Sequence, residues 1–295
     1  MFRLKINVFL WLVFTSGFCF AGEEKLPDGA SFMGLSNDGS WYGYIFHKGN
    51  LTRYSELKNA QELTYSAETN SIYFVSAENK IMYLDLERSE ISEIRFSNGV
   101  TRLSGIKMGR SRLGKPGFYG VSLVDGNSKN TEVVFYDPLK NKFEVILSPR
   151  LSVYDPMIRD GKIAYTAITC VESCEQPSQE LWVKHIEINN AKQLTLLGSY
   201  LKMPFIADSG RMIYFSRPYL GSTSIWKYDL QENIAVQVTH DKKVKDSNPV
   251  WENGKLYFIR QSGSGSEINV MVNSKIEKIA IPGVSKIRDF EVLDG

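Results

Sequence analysis

Three segments of the chain carry the same phrase at nearly the same interval. YDPMIRDGKIAY from Tyr154, KMPFIADSGRMIYF from Lys202 and SNPVWENGKLYF from Ser247 each combine a proline, a short apolar stretch and a turn pair. Pro156, Pro204 and Pro249 are 48 and 45 residues apart, and Phe290 of the terminal RDFEVLDG takes the same slot 41 residues further on. A repeat of this length means one supersecondary unit copied along the chain, each copy covering the apolar face of the next. After each turn comes a strand (IAYTAI, MIYFSR, KLYFIR), a variable loop, a second strand (LWVKHIEI, IWKYDLQE, INVMVNSK) and a third (AKQLTLL, IAVQVTH, KIEKIAI). Alternating polar and apolar positions rich in aromatic and β-branched residues mark half-buried strands. Asp160-Gly161 and Asn253-Gly254 mark tight hairpins.

Working back towards the N-terminus adds residues 62–96 and a more divergent unit over 100–147, which gives five complete four-stranded units. Two remnants are left. SFMGLSN, WYGYIFH and LTRYSEL near the N-terminus match the second, third and fourth strands of a unit, and KIRDFEVLDG at the C-terminus matches the first. The expected fold is therefore all-β: a six-bladed β-propeller with four-stranded antiparallel blades, one of them closed by both termini. Closure of this kind leaves only short, protected sheet edges. A β-sandwich or open solenoid has no need of complementary end pieces. The expected blades are approximately 58–96, 97–147, 148–197, 198–240, 241–281, and 29–57 joined with 282–295, within one domain over 22–295.

Residues 1–21 have the pattern of an export signal: Arg3 and Lys5, the apolar run Ile6 to Phe14, then Cys19 and Ala21 at the small positions before a cut. This run of nine residues, all apolar but Asn7, is short of the roughly 20 that a membrane-spanning helix needs. The expected address is the periplasm or the exterior of a bacterial cell, with no transmembrane anchor after cleavage. Loss of Arg3 and Lys5 leaves 33 basic and 33 acidic residues, a balance that excludes a dedicated nucleic-acid binder. In an oxidising compartment Cys170 and Cys174 are expected to form a disulfide closing a small loop.

The unit from Met203 to His240 resembles the TolB-type (PD40, WD-like) propeller repeat. Pro204, Asp208, Gly210, Ile213, Phe215, Arg217, Ile225, Trp226, Asp229, Leu230, Val238 and Thr239 fill comparable slots, with Ser209 inserted before the glycine. The resemblance is good over the last three complete units, fair over 62–96 and poor over 100–147. It implies a propeller and says little about activity. Only Glu23 to Gly29 separates the signal from the first strand, so the α/β domain that precedes the propeller of TolB itself is not expected. A peptidase of the prolyl-oligopeptidase kind would need a G-x-S-x-G elbow, which the sequence lacks.

Other motifs carry little chemistry. GRSRLGK (109–115) has phosphate-loop spacing, but Pro116 replaces the needed hydroxyl and a strand follows instead of a helix. It reads as a basic turn. His47, His185 and His240 fall in different units, so no metal site is expected, and Asp85, Asp137 and Asp229 read as turn-makers. No catalytic residue and no cofactor are assigned. The loops leading into the first strands carry Tyr154, Tyr200, Lys202, Asp246 and Arg288, and the hairpins at the same end carry Arg217, Tyr219 and Arg260. Tyr and Arg are enriched where proteins touch one another. The expectation is a monomeric, non-enzymatic binding module for an envelope or periplasmic protein. The alternative is a small carbohydrate-active lyase or hydrolase working in the channel.

Overall fold

The computed structural model describes residues 25–95, 102–110, 114–124, 127–138, 140–148, 152–170, 177–188, 190–207 and 210–292. The expected signal, Cys174 and the side chain of Cys170 lie outside the described residues. Among the described residues twenty-four strands follow one another, and the one helical segment is a 3-10 turn at Ser55–Leu57.

The strands fall into sheets in chain order. β1 (Ala30–Ser36), β2 (Trp41–His47) and β3 (Asn50–Tyr54) are followed by β4 (Glu62–Ser66), β5 (Ser71–Val75), β6 (Ile81–Asp85) and β7 (Glu90–Glu93). Then come β8 (Leu103–Arg110), β9 (Pro116–Val124), β10 (Asn127–Asp137) and β11 (Lys142–Leu147), and β12 (Val153–Arg159), β13 (Lys162–Cys170), β14 (Ser178–His185) and β15 (Ala191–Gln193). The last run is β16 (Lys202–Ala207), β17 (Met212–Tyr219), β18 (Ser222–Asp229), β19 (Ile234–Gln237), β20 (Lys245–Glu252), β21 (Lys255–Ser262), β22 (Gly265–Val272), β23 (Lys275–Ile279) and β24 (Val284–Val292).

Six separate blades are not what these strands make. Four separate four-stranded blades are present, β24-β1-β2-β3, β4 to β7, β8 to β11 and β12 to β15, while β16 to β23 form one eight-stranded sheet. The cause is a parallel bridge between Thr223 of β18 and Lys245 of β20, which merges two repeats expected to stand apart. The first and last described strands do meet: β24 pairs antiparallel with β1, setting Met33 against Arg288 and Ser31 against Glu291.

The repeated proline has a structural cause. Asp155, Met203 and Asn248 have φ of 47°, 52° and 56°, and each directly precedes Pro156, Pro204 or Pro249. At each of these places the strand register shifts by a β-bulge. An unpaired bulge position suits a residue without an N–H, which is where proline is tolerated in a sheet. Gly105 (φ 63°) and Asp289 (φ 54°) mark the equivalent irregularities in β8 and β24.

The core lies between sheet faces. Met33, Ile45, Leu57, Leu63 and Tyr65 form one buried cluster, and Tyr73, Phe118, Tyr136 and Phe143 meet at tilted and edge-on angles in another. Burial of each such side chain contributes roughly 1.5–3 kcal/mol.

Candidate interaction face

The β17–β18 hairpin turns on Leu220 and Gly221, with Tyr219 paired to Ser222. Leu220 has φ 47° and Gly221 φ 82°. Such a turn asks for positive φ at both central residues and is normally filled by Asn, Asp or Gly. A branched leucine there is strained, and this one is 86% exposed, so the strain is not offset by burial.

Around it the fold assembles more apolar surface. Leu196 is 86% exposed, Tyr219 61% and Tyr200 45%. The segment 194–201 is tied to the hairpin by two hydrogen bonds. Arg217 Nη2 donates to the Leu197 carbonyl at 3.2 Å, and the Ser199 hydroxyl donates to the Pro218 carbonyl at 2.7 Å. The Arg217 guanidinium also lies 4.6 Å from the Trp226 ring centroid and 5.7 Å from that of Tyr219. Lys202, exposed at the start of β16, pairs with Ser216 in the same sheet. Tyr200, Lys202, Arg217 and Tyr219 are thus brought to one rim.

The remaining sequence candidates sit elsewhere. Asp246 and Arg260 satisfy each other in a two-pronged pair, Nε to Oδ1 at 2.7 Å and Nη2 to Oδ2 at 2.8 Å, with the Asp246 side chain 1% exposed. Neither is free to meet a partner. Arg288 donates to the Ala60 carbonyl at 2.9 Å and lies 4.6 Å from the Trp41 ring centroid. Tyr154 stands on β12 beside Asp155, whose carboxylate accepts from the Met203 N–H at 3.1 Å. Asp85 and Asp229 each accept from two backbone N–H groups of the following turn.

An acidic group that sequence inspection passed over lies where β24, β4 and β8 meet. Glu291 accepts from the Thr64 hydroxyl at 3.0 Å and faces Lys107 Nζ at 3.4 Å. Glu62 accepts from the Ile106 N–H at 3.0 Å. Burial raises all three nearby carboxyls, opposed for Glu291 by Lys107 and for Asp289 by Arg288. The Asp289 carboxyl is pushed up to about 7. On the face away from the Arg217–Leu220 rim, a cleft of about 580 Å³ is lined by Glu68, Arg110, Arg159, His185 and Phe205. Two of its cations are engaged: Arg110 pairs with Glu68 at 2.7 Å, and Arg159 lies over Phe205. Among the described residues no group of three or more His, Cys, Asp or Glu side chains is placed to hold a metal.

Sheets joined in this way define an all-β propeller. Its fold is similar to a putative TolB from Agrobacterium tumefaciens (TM-score 0.64, 12% identity, 86% of this chain and 89% of that one). It is also similar to TolB from Acinetobacter baumannii (0.64, 15% identity), where 89% of this chain matches 66% of the other. An oligogalacturonate lyase in complex with manganese shares the fold as well (0.55, 13% identity, 85% of this chain and 74% of that one). No family model matches the sequence, and no curated protein does. Among the described residues no helix is long and apolar enough to cross a membrane.

Proposed function

We propose that the chain is an exported, non-enzymatic propeller of the periplasm or cell envelope that docks a protein partner through the Arg217–Leu220 rim. The observation that carries this is Leu220: a strained turn position given to an exposed apolar side chain, with Tyr219 beside it and Leu196 and Tyr200 exposed on the segment hydrogen-bonded to the same hairpin. Strained backbone and clustered exposed apolar side chains concentrate at sites of use, and soluble surfaces otherwise avoid them. The likeness to TolB structures supports the same reading. The test is recovery of partners from envelope extract on immobilised protein. The wild type retains a discrete protein that an Arg217→Ala/Tyr219→Ala variant loses. Recovery of nothing, or of the same proteins by both, overturns the proposal.

The three carboxyls at the meeting of β24, β4 and β8 favour a second reading, a carbohydrate-active lyase or hydrolase. Turnover of an acidic polysaccharide by the purified protein, lost in Asp289→Asn, supports that reading. An inert wild type removes it.

A further inference from the structure

The rim described above is polar in a one-sided way. Lys202 pairs with Ser216 on one flank of the hairpin, and Lys245 pairs with Thr223 on the other. The turn leading to Lys245 adds Lys242 and Lys243, and all four lysines are exposed. None of the four has an ion-pair partner among the described residues. The acids close by offset only part of this charge. Asp241 accepts from the Lys243 N–H at 2.9 Å, and Asp246 is buried against Arg260. Over the whole chain the basic and acidic residues number 35 and 33, so four unpaired lysines beside one hairpin are a local excess, not a property of the composition.

Lys202 apart, which stands beside Tyr200, the apolar and basic groups are also separated, with three of the four lysines on one side. Leu196 and Tyr200 stand on the segment before β16, Tyr219 and Leu220 at the hairpin tip, and Lys242, Lys243 and Lys245 beyond it towards β20. A segment laid across the hairpin therefore meets an apolar ledge first and a positive one next. A flat lipid surface would fit better with cations surrounding the inserted apolar groups. From this we infer that the occupant of the rim is an acidic segment of a protein, carrying at least one large apolar side chain for the ledge around Leu220 and carboxylates for the lysines. The inference rests on the docking role proposed above and names the chemistry of its partner. Complementary charge of this kind speeds encounter and selects partners more than it adds affinity.

A photo-crosslinking amino acid placed at position 220 in the full-length protein in its native cells tests this, with and without Lys242→Glu, Lys243→Glu and Lys245→Glu together. The expected result is one protein adduct whose crosslinked peptide is rich in Asp and Glu, reduced about tenfold or more by the charge reversal. A thermal melt matching that of the parent shows that the reversed protein is folded. If the adduct forms equally in both, or its peptide is not acidic, the acidic partner is overturned while docking at the rim stands. A phospholipid adduct, checked by sedimentation with phosphatidylglycerol vesicles, overturns a protein occupant. No adduct in either protein overturns both the partner chemistry and the docking role.

Discussion

Glu291 and Thr64 are 227 residues apart in sequence, yet the Thr64 hydroxyl donates to the Glu291 carboxylate at 3.0 Å. Thr64 passes the contact on by accepting from the Met108 N–H at 2.9 Å, and Lys107 approaches the other Glu291 oxygen. β24 is thus tied to β1 through its ladder, to β4 through Thr64 and to β8 through Lys107, besides its bonds to Asn248 of β20 and Ser266 of β22. Removing Lys107 leaves a buried carboxylate without its cation, which costs about 3 kcal/mol at neutral pH. Lys107→Ala is expected to lower the urea midpoint markedly. Adding Glu291→Gln to it recovers much of the loss. Additive losses would show that the two residues do not act as a pair.

The same junction predicts how stability follows pH. Asp289 is raised from 3.8 to about 7 by burial, so the folded protein holds that proton more tightly than the unfolded chain. A group of this kind stabilises fully at pH below its unfolded value, and its contribution declines as pH rises from about 4 to about 7. Glu62 and Glu291 are raised as well and act in the same direction. Unfolding free energy is expected to fall across that window, and Asp289→Asn, tolerated at φ 54°, is expected to flatten the fall. An unchanged slope in the variant would remove Asp289 as its source.

Arg260→Ala strands Asp246, whose side chain is 1% exposed, and is expected to destabilise by about 3–5 kcal/mol in denaturant titration. Arg260→Lys keeps the charge but only one prong of the contact and falls between. A change within about 0.5 kcal/mol for Arg260→Ala would mean the pair is a surface contact of little weight.

Leu220→Asn gives a prediction in which stability and function separate. Asn adopts positive φ more readily than Leu, so relief of strain at φ 47° is expected to stabilise by about 1 kcal/mol and raise Tm by about 2 °C. The same change removes the exposed apolar side chain and is expected to weaken partner recovery. A variant that is more stable and equally well retained would deny Leu220 its docking role.

Much of the strand layout is legible in the repeat. The Asp160-Gly161 and Asn253-Gly254 turns have the positive φ that their residues announce, and the meeting of β24 with β1 follows from complementary end fragments. The merging of two repeats into an eight-stranded sheet is not legible, because it hangs on the single Thr223–Lys245 bridge, which leaves no periodic trace. Pro156, Pro204 and Pro249 did carry a signal for the bulges, since proline after a strained residue has few other reasons to recur. Glu62, Lys107 and Glu291 each look like a solvent-facing residue of an alternating strand, and only the closing of the sheets reveals them as one buried group. Asp246 and Arg260 have the composition of a binding site but spend it on each other.

Placing the photo-crosslinker in turn at Tyr219 on the rim, at Ile234 on an outer strand and at Ile188 beside the opposite cleft compares three exposed positions directly. Docking at the Arg217–Leu220 rim predicts a discrete protein adduct from position 219 and none from 234 or 188. An adduct from position 188 with none from 219 would put the binding face at the other end of the propeller and contradict the assignment.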